Sequence, residues 1–118
     1  MTKARISLLT IAFLACSIPA AAAPPANDTC AAAVTIPGLE LPFSATLDTT
    51  QATSDGDPAV SCVTPAPGKS VWYSFQAPTT DTFAFDATTS SPTGYTPVLT
   101  LYTGSCGGLT PVANACAR

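Results

Sequence analysis

The chain has 118 residues, 47% hydrophobic and only 9% charged, with 12 Pro, 7 Gly, one Trp and no His. That length accommodates one small domain, and without histidine a Ser-His-Asp hydrolase or a His-zinc enzyme is excluded. The formal charge is −3, an acidic balance that disfavours nucleic acid and anionic membranes as partners.

The N-terminus opens with Lys3 and Arg5, continues as an apolar run from Ile6 to Ile18, and closes on Pro19 and four alanines, Ala20 to Ala23. This is the pattern of a secretory signal peptide, and the run is too short to cross a hydrocarbon core of roughly 30 Å as a helix. Proline at the first mature position blocks signal peptidase, so the reading places the cut after Ala22 rather than after Ala23. Residues 1–22 are then the signal peptide and 23–27 a short extended linker. A competing reading takes Phe13-Leu14-Ala15-Cys16 as a lipoprotein box, with Cys16 acylated and anchoring the chain. Cleavage after Ala22 removes Lys3 and Arg5, leaving Lys69 and Arg118 against seven acids, a net −5.

The mature part is expected to fold as an all-β module over residues 28–118. A brief helical turn is predicted over 28–34, with Asn27 or Asp28 as its cap. Beyond it, period-2 alternation replaces any sustained helical period. Segment 41–50 alternates loosely, with Leu41, Phe43, Ala45 and Leu47 on one side. Segments 54–58 and 62–68 are rich in turn formers and are predicted loops. Segment 70–77 sets Val71, Tyr73 and Phe75 against Trp72, Ser74 and Gln76; segment 81–88 sets Phe83 and Phe85 against Ala84 and Asp86. Segment 97–103 sets Leu99 and Leu101 against Val98, Thr100 and Tyr102, with Pro97 tolerated at the strand's first position. Residues 89–94 and 104–108 are predicted turns, and a short segment at 111–115 follows. Such short strands indicate an antiparallel β-sandwich. Its predicted inter-sheet core is Val71, Tyr73, Phe75, Phe83, Phe85, Leu99 and Leu101.

Four cysteines remain after export: Cys30, Cys62, Cys106 and Cys116. An even count in an exported chain reads as two disulfides, for which three connectivities exist. No C-x-x-C pair suggests a zinc knuckle.

In order, the chain carries Asn27-Asp28-x-Cys30-x-x-Ala33-x-x-Ile36, then Cys62 ahead of Val71-Trp72-Tyr73-Ser74-Phe75, then Val98-Leu99-x-Leu101-Tyr102-x-Gly104-Ser105-Cys106-x-x-Leu109, and last Cys116. This succession resembles the secreted bacterial β-sandwich modules similar to pre-peptidase C-terminal domains. The resemblance implies a jelly-roll sandwich without catalytic residues, appended to secreted or surface proteins and serving in binding, spacing or secretion. It also arranges the cysteines as consecutive landmarks, so joining each to its sequence neighbour pairs Cys30 with Cys62 and Cys106 with Cys116. Two departures stand out. Tyr95-Thr96-Pro97 occupies the place of an Asp-Thr pair, which weakens any calcium role there. The family's further strands after the last cysteine are absent, so an incomplete sandwich is expected, self-associating through a sheet edge near Leu99 and Leu101.

Several residues invite a functional reading beside a plainer one. Asp55-Gly56-Asp57 with Asp48 offers oxygens for Ca²⁺, yet it lacks a complete calcium-loop spacing and reads as an acidic turn. Asp81 and Asp86 are a carboxylate pair, but five residues apart on one strand they face opposite ways, unlike a glycosidase pair. Lys69 and Ser70 are adjacent and so diverge rather than forming a dyad. Asn27-Asp28-Thr29 matches a glycosylation sequon. Trp72 is the candidate ligand contact: an outward indole stacks on sugars, whereas an N-terminal segment tied down through Cys30 and folded across it would make it internal. No catalytic residue, metal or cofactor is assigned. The expected function is a secreted, non-catalytic binding or spacer module for a glycan or protein ligand. The alternatives are the front end of a larger exported hydrolase, or a surface adhesion module.

Overall fold

The structure, a computed structural model, describes residues 22–38, 41–65, 68–88 and 96–118. The proposed signal peptide up to residue 21, Cys16 with it, and the predicted turn at 89–94 lie outside the described residues. Among the described residues, regular structure is all β apart from one turn of 3₁₀ helix: η1 Cys30–Ala32, β1 Val34–Ile36, β2 Tyr73–Phe75, β3 Leu99–Thr103 and β4 Thr110–Ala117.

The predicted helical turn shrinks to η1, where Ala33 N–H closes onto the Cys30 carbonyl at 3.1 Å. Thr29 stands in the cap position with extended backbone and makes no side-chain cap, so neither Asn27 nor Asp28 serves as one. The β-branched run Val34-Thr35-Ile36 then favours strand over helix. β1 pairs with β2 in parallel, Val34 opposite Tyr73, Thr35 opposite Ser74 and Ile36 opposite Phe75. The Thr35 and Ser74 hydroxyls meet at 3.1 Å across this ladder. Pro37 has no donor to continue it, and at Gly38 a Cβ would lie 2.7 Å from the Gln76 carbonyl oxygen, so only glycine allows the chains to part so closely.

β3 and β4 form the second sheet, an antiparallel hairpin. Its turn needs Gly104, whose φ of 104° is glycine territory and whose Cβ would strike the Gly108 carbonyl. The register runs Thr103 to Thr110 and Tyr102 to Pro111, then jumps so that Thr100 faces Cys116 and Leu99 faces Ala117. The extra β4 residues include Asn114 at φ 60°, a left-handed conformation that asparagine tolerates better than most residues.

Several expectations are corrected. The ladder containing β2 is parallel, not antiparallel. Segment 41–50 forms no ladder, and Leu41, Phe43 and Leu47 are exposed together rather than sharing a buried face. Segment 81–88 is not a strand, although its rings pack edge-on against Phe75, Phe83 at 5.0 Å and Phe85 at 5.6 Å between centroids. The seven-residue core does not exist as such: Tyr73 and Phe85 are exposed, the other five are half-buried, and Ala52 is the only buried apolar residue among those described. Alternation assigns a face to each strand but not a partner to cover it.

The cysteine pairing is also corrected. Cys30 bonds Cys106 and Cys62 bonds Cys116, with Cα separations of 5.7 and 5.8 Å. Pairing with the nearest cysteine in sequence fails because β3 lies beside the residues leading into β2. The Trp72 and Tyr102 rings are 5.8 Å apart, and this carries the β3–β4 hairpin over the N-terminal half. Closing 76 and 54 residues, the bonds taken singly are worth at most about 4.5 and about 4.2 kcal/mol on chain-entropy grounds. With so little apolar burial, these cross-links outweigh any single side-chain contact.

Candidate functional site

The most organised side-chain cluster surrounds the residues preceding β2. Asn27, 2% exposed, donates its Nδ2 to the Trp72 carbonyl at 3.0 Å, while Trp72 N–H donates to the Asn27 carbonyl at 2.9 Å. Val34 N–H donates to the same Trp72 carbonyl at 3.1 Å. A carbonyl has two lone pairs, so it satisfies both donors. Neighbouring Asp28 accepts from Thr53 twice, from its N–H at 2.6 Å and from its hydroxyl at 2.7 Å.

Asp57 completes the cluster. Its Oδ1 accepts from the Trp72 indole Nε1 at 3.0 Å, and its Oδ2 accepts from the Ser70 hydroxyl. Ser70 N–H also donates to the Thr53 carbonyl at 2.9 Å. Lys69 turns its ammonium to the Thr50 carbonyl instead, so Lys69 and Ser70 serve different partners. Tyr102 stacks at a tilt on Trp72 and directs its hydroxyl to the Ala59 carbonyl at 3.4 Å. Burial first, and then the negative charge of Asp57, raise the Tyr102 phenol above its ordinary 10.0.

The remaining sequence candidates are dispersed. Asp48 Oδ1 accepts from Thr50 N–H at 2.8 Å, and hydrogen bonding to Thr50, backbone before side chain, holds its carboxyl below 3.8. It is therefore a turn carboxylate, separate from Asp57. Asp55 and Asp86 are exposed, and Asp81 accepts from Thr79 Oγ1 at 2.6 Å. No three Cys, Asp or Glu side chains converge as metal ligands among the described residues. Asn27, the sequon residue, is buried with its amide nitrogen engaged.

Trp72 itself is half-buried, its N–H bound to Asp57 and one face against Tyr102. Sequence reasoning singled out Trp72 but missed Thr53, Asp57 and Ser70 as its surroundings. The available signal was chemical: a partly buried indole N–H requires an acceptor. Two shallow open depressions exist, one lined by Val63, Pro65, Thr96, Val98 and Arg118, the other by residues flanking the ends of β1 and β2. Neither assembles an acid, a base and a nucleophile.

No helix among the described residues is long and apolar enough to cross a membrane. The two disulfides fit an oxidising, extracytoplasmic environment. No protein family, curated protein or solved structure that was compared matches the chain.

Proposed function

We propose that the chain is a secreted, non-catalytic binding or spacer module, a β-sandwich similar to pre-peptidase C-terminal domains, working at the cell surface or beyond it. The order of its cysteine and aromatic landmarks supports the family likeness. One observation carries the non-catalytic reading: the two half-buried carboxylates are occupied internally, Asp28 by Thr53 and Asp57 by Ser70 and Trp72, while Asp55, Asp81 and Asp86 are exposed and dispersed. A carboxylate that accepts hydrogen bonds on both oxygens is held in place and is poorly suited to move a proton. Val34, Phe43, Tyr73, Phe85 and Val112 are exposed, and such apolar side chains beside open strand edges support a polypeptide ligand, a second copy included, over a sugar.

The test uses the oxidised exported protein. It should hydrolyse no glycoside, ester or peptide substrate, give no signal on a glycan array, and associate at micromolar concentration in light scattering. Its N-terminus should be Ala23 by mass spectrometry; an acylated Cys16 there would replace secretion with lipid anchoring. Turnover that Asp57→Asn abolishes would overturn the non-catalytic reading. A sharply melting, strictly monomeric species would remove the second copy as the ligand and with it the incomplete-sandwich reading.

A further inference from the structure

The described chain divides into two parts of unequal self-sufficiency. The N-terminal part holds itself by hydrogen bonds among its own residues: Thr53 N–H to Asp28, Ser70 N–H to Thr53, Trp72 N–H to Asn27 and Val34 N–H to Trp72. None of these bonds involves a cysteine or the β3–β4 hairpin. The hairpin is joined to that part by Cys30–Cys106 at its turn, by Cys62–Cys116 near the end of β4, and by Tyr102 against Trp72 and Ala59. The one buried apolar residue described, Ala52, belongs to the N-terminal part.

We propose that the two disulfides form a thiol-operated clasp: a dithiol reductant opens both, the β3–β4 hairpin leaves the N-terminal part, and the hydrogen-bonded cluster around Trp72 stays folded. The inference does not depend on what the module binds. Detachment exposes the hairpin's inner face beside edges that are already open to strand pairing with another polypeptide. It also uncovers the Trp72 face that Tyr102 covers.

The chemistry has a defined entry point. Cys106 is exposed whereas Cys30, Cys62 and Cys116 are half-buried, so a reductant thiolate attacks Cys106 Sγ first. A new S–S bond forms to Cys106 as the bond to Cys30 breaks. Cys30 leaves with the electron pair and takes a proton from water. The second thiol of the reductant then attacks its own sulfur in the mixed disulfide, releasing Cys106 as a thiolate and leaving the reductant as a cyclic disulfide. Two electrons have passed from the dithiol to the protein. The second cross-link follows the same course with a set direction. Thr100 Oγ1 lies 3.0 Å from Cys116 Sγ, and a disulfide sulfur has no hydrogen, so the hydroxyl is the donor. That donor stabilises a departing Cys116 thiolate and directs attack to Cys62, because a better-stabilised thiolate leaves faster.

The experiment is a dithiothreitol titration of the oxidised protein in native buffer, with reoxidation afterwards. Free thiols are alkylated and mapped at each step, amide exchange is followed by NMR, and Trp72, the sole tryptophan, reports by fluorescence. Cys30 and Cys106 should be alkylated before Cys62 and Cys116. In the fully reduced protein, hairpin amides should exchange about tenfold faster or more while those of Val34, Thr53, Ser70 and Trp72 stay protected, since separate units open separately. Trp72 emission should shift with the second reduction and return on reoxidation. Thr100→Val should leave the first reduction unchanged and slow the second severalfold. Unchanged hairpin exchange and emission after full reduction would overturn the proposal, because the hairpin would then dock without its clasp. Loss of protection in both parts together would overturn it equally, since the bonds would then hold up the whole fold rather than release one part of it.

Discussion

Asp57 is the side chain whose loss should disturb the candidate site most, and a double-mutant cycle with Trp72 measures why. Its carboxylate accepts from the Trp72 indole at 3.0 Å and from the Ser70 hydroxyl. Hydrogen bonds to a charged acceptor contribute about 1.5–3 kcal/mol each, with partial exposure favouring the lower end. Asp57→Ala should therefore destabilise the oxidised protein by about 3 kcal/mol, a large share of the 5 kcal/mol or so at the low end for small domains. Trp72→Phe removes the indole donor while keeping an aromatic ring against Tyr102. If the indole–carboxylate bond is as strong as its geometry implies, the two changes should couple by about 1.5 kcal/mol. Urea unfolding followed by far-ultraviolet circular dichroism suits all four proteins, since it needs no tryptophan. A coupling energy below about 0.3 kcal/mol, the scatter expected of independent sites, would refute the view that Asp57 anchors Trp72.

Two further outcomes follow from the same packing. Phe75→Ala, which removes the ring at the centre of the Phe83 and Phe85 contacts, should cost about 2 kcal/mol in urea unfolding, and Phe85→Ala, 38% exposed, about 1 kcal/mol; a larger loss at Phe85 would mean the cluster is centred elsewhere. Because the folded protein holds the Tyr102 proton above the ordinary 10.0, stability from this phenol is complete below about pH 10 and is lost as pH rises through the raised value. Ultraviolet titration should show a late-ionising component from Tyr102, missing from Tyr102→Phe and shifted down in Asp57→Ala; a late component that survives in Tyr102→Phe, or none in the parent protein, would refute it.

What was legible in the sequence were the elements whose signals are local. Leu99 and Leu101 alternate with polar and aromatic neighbours and run into a glycine-rich turn, and β3 with its hairpin turn lies there. Tyr73 to Phe75 alternates likewise and is a strand. Alternation at 41–50 and 81–88 produced no ladder because a strand exists only with a hydrogen-bonding neighbour, and period alone names none. The same limit applies to the cysteines. Their even number announced two bonds, but the pairing depends on the hairpin's crossing over the N-terminal part, which no spacing encodes.

The candidate site was illegible for a related reason, and Asn27-Asp28 illustrates it. Small polar residues ahead of a short alanine run satisfy every local criterion for a helix cap, yet their partners are Trp72 and Thr53, 45 and 25 residues away. A three-residue 3₁₀ turn has little to offer a cap, whereas the exposed backbone at Trp72 has a carbonyl and an N–H that must be satisfied once covered. The more demanding group therefore takes the asparagine. With only Ala52 buried among the described apolar residues, such polar bonds order the N-terminal part and the two cross-links hold the hairpin to it, where a hydrophobic core would do both elsewhere. Hydrogen bonds are directional and disulfides are reversible, so a domain ordered this way responds to single-atom changes and to thiols more sharply than one ordered by apolar burial.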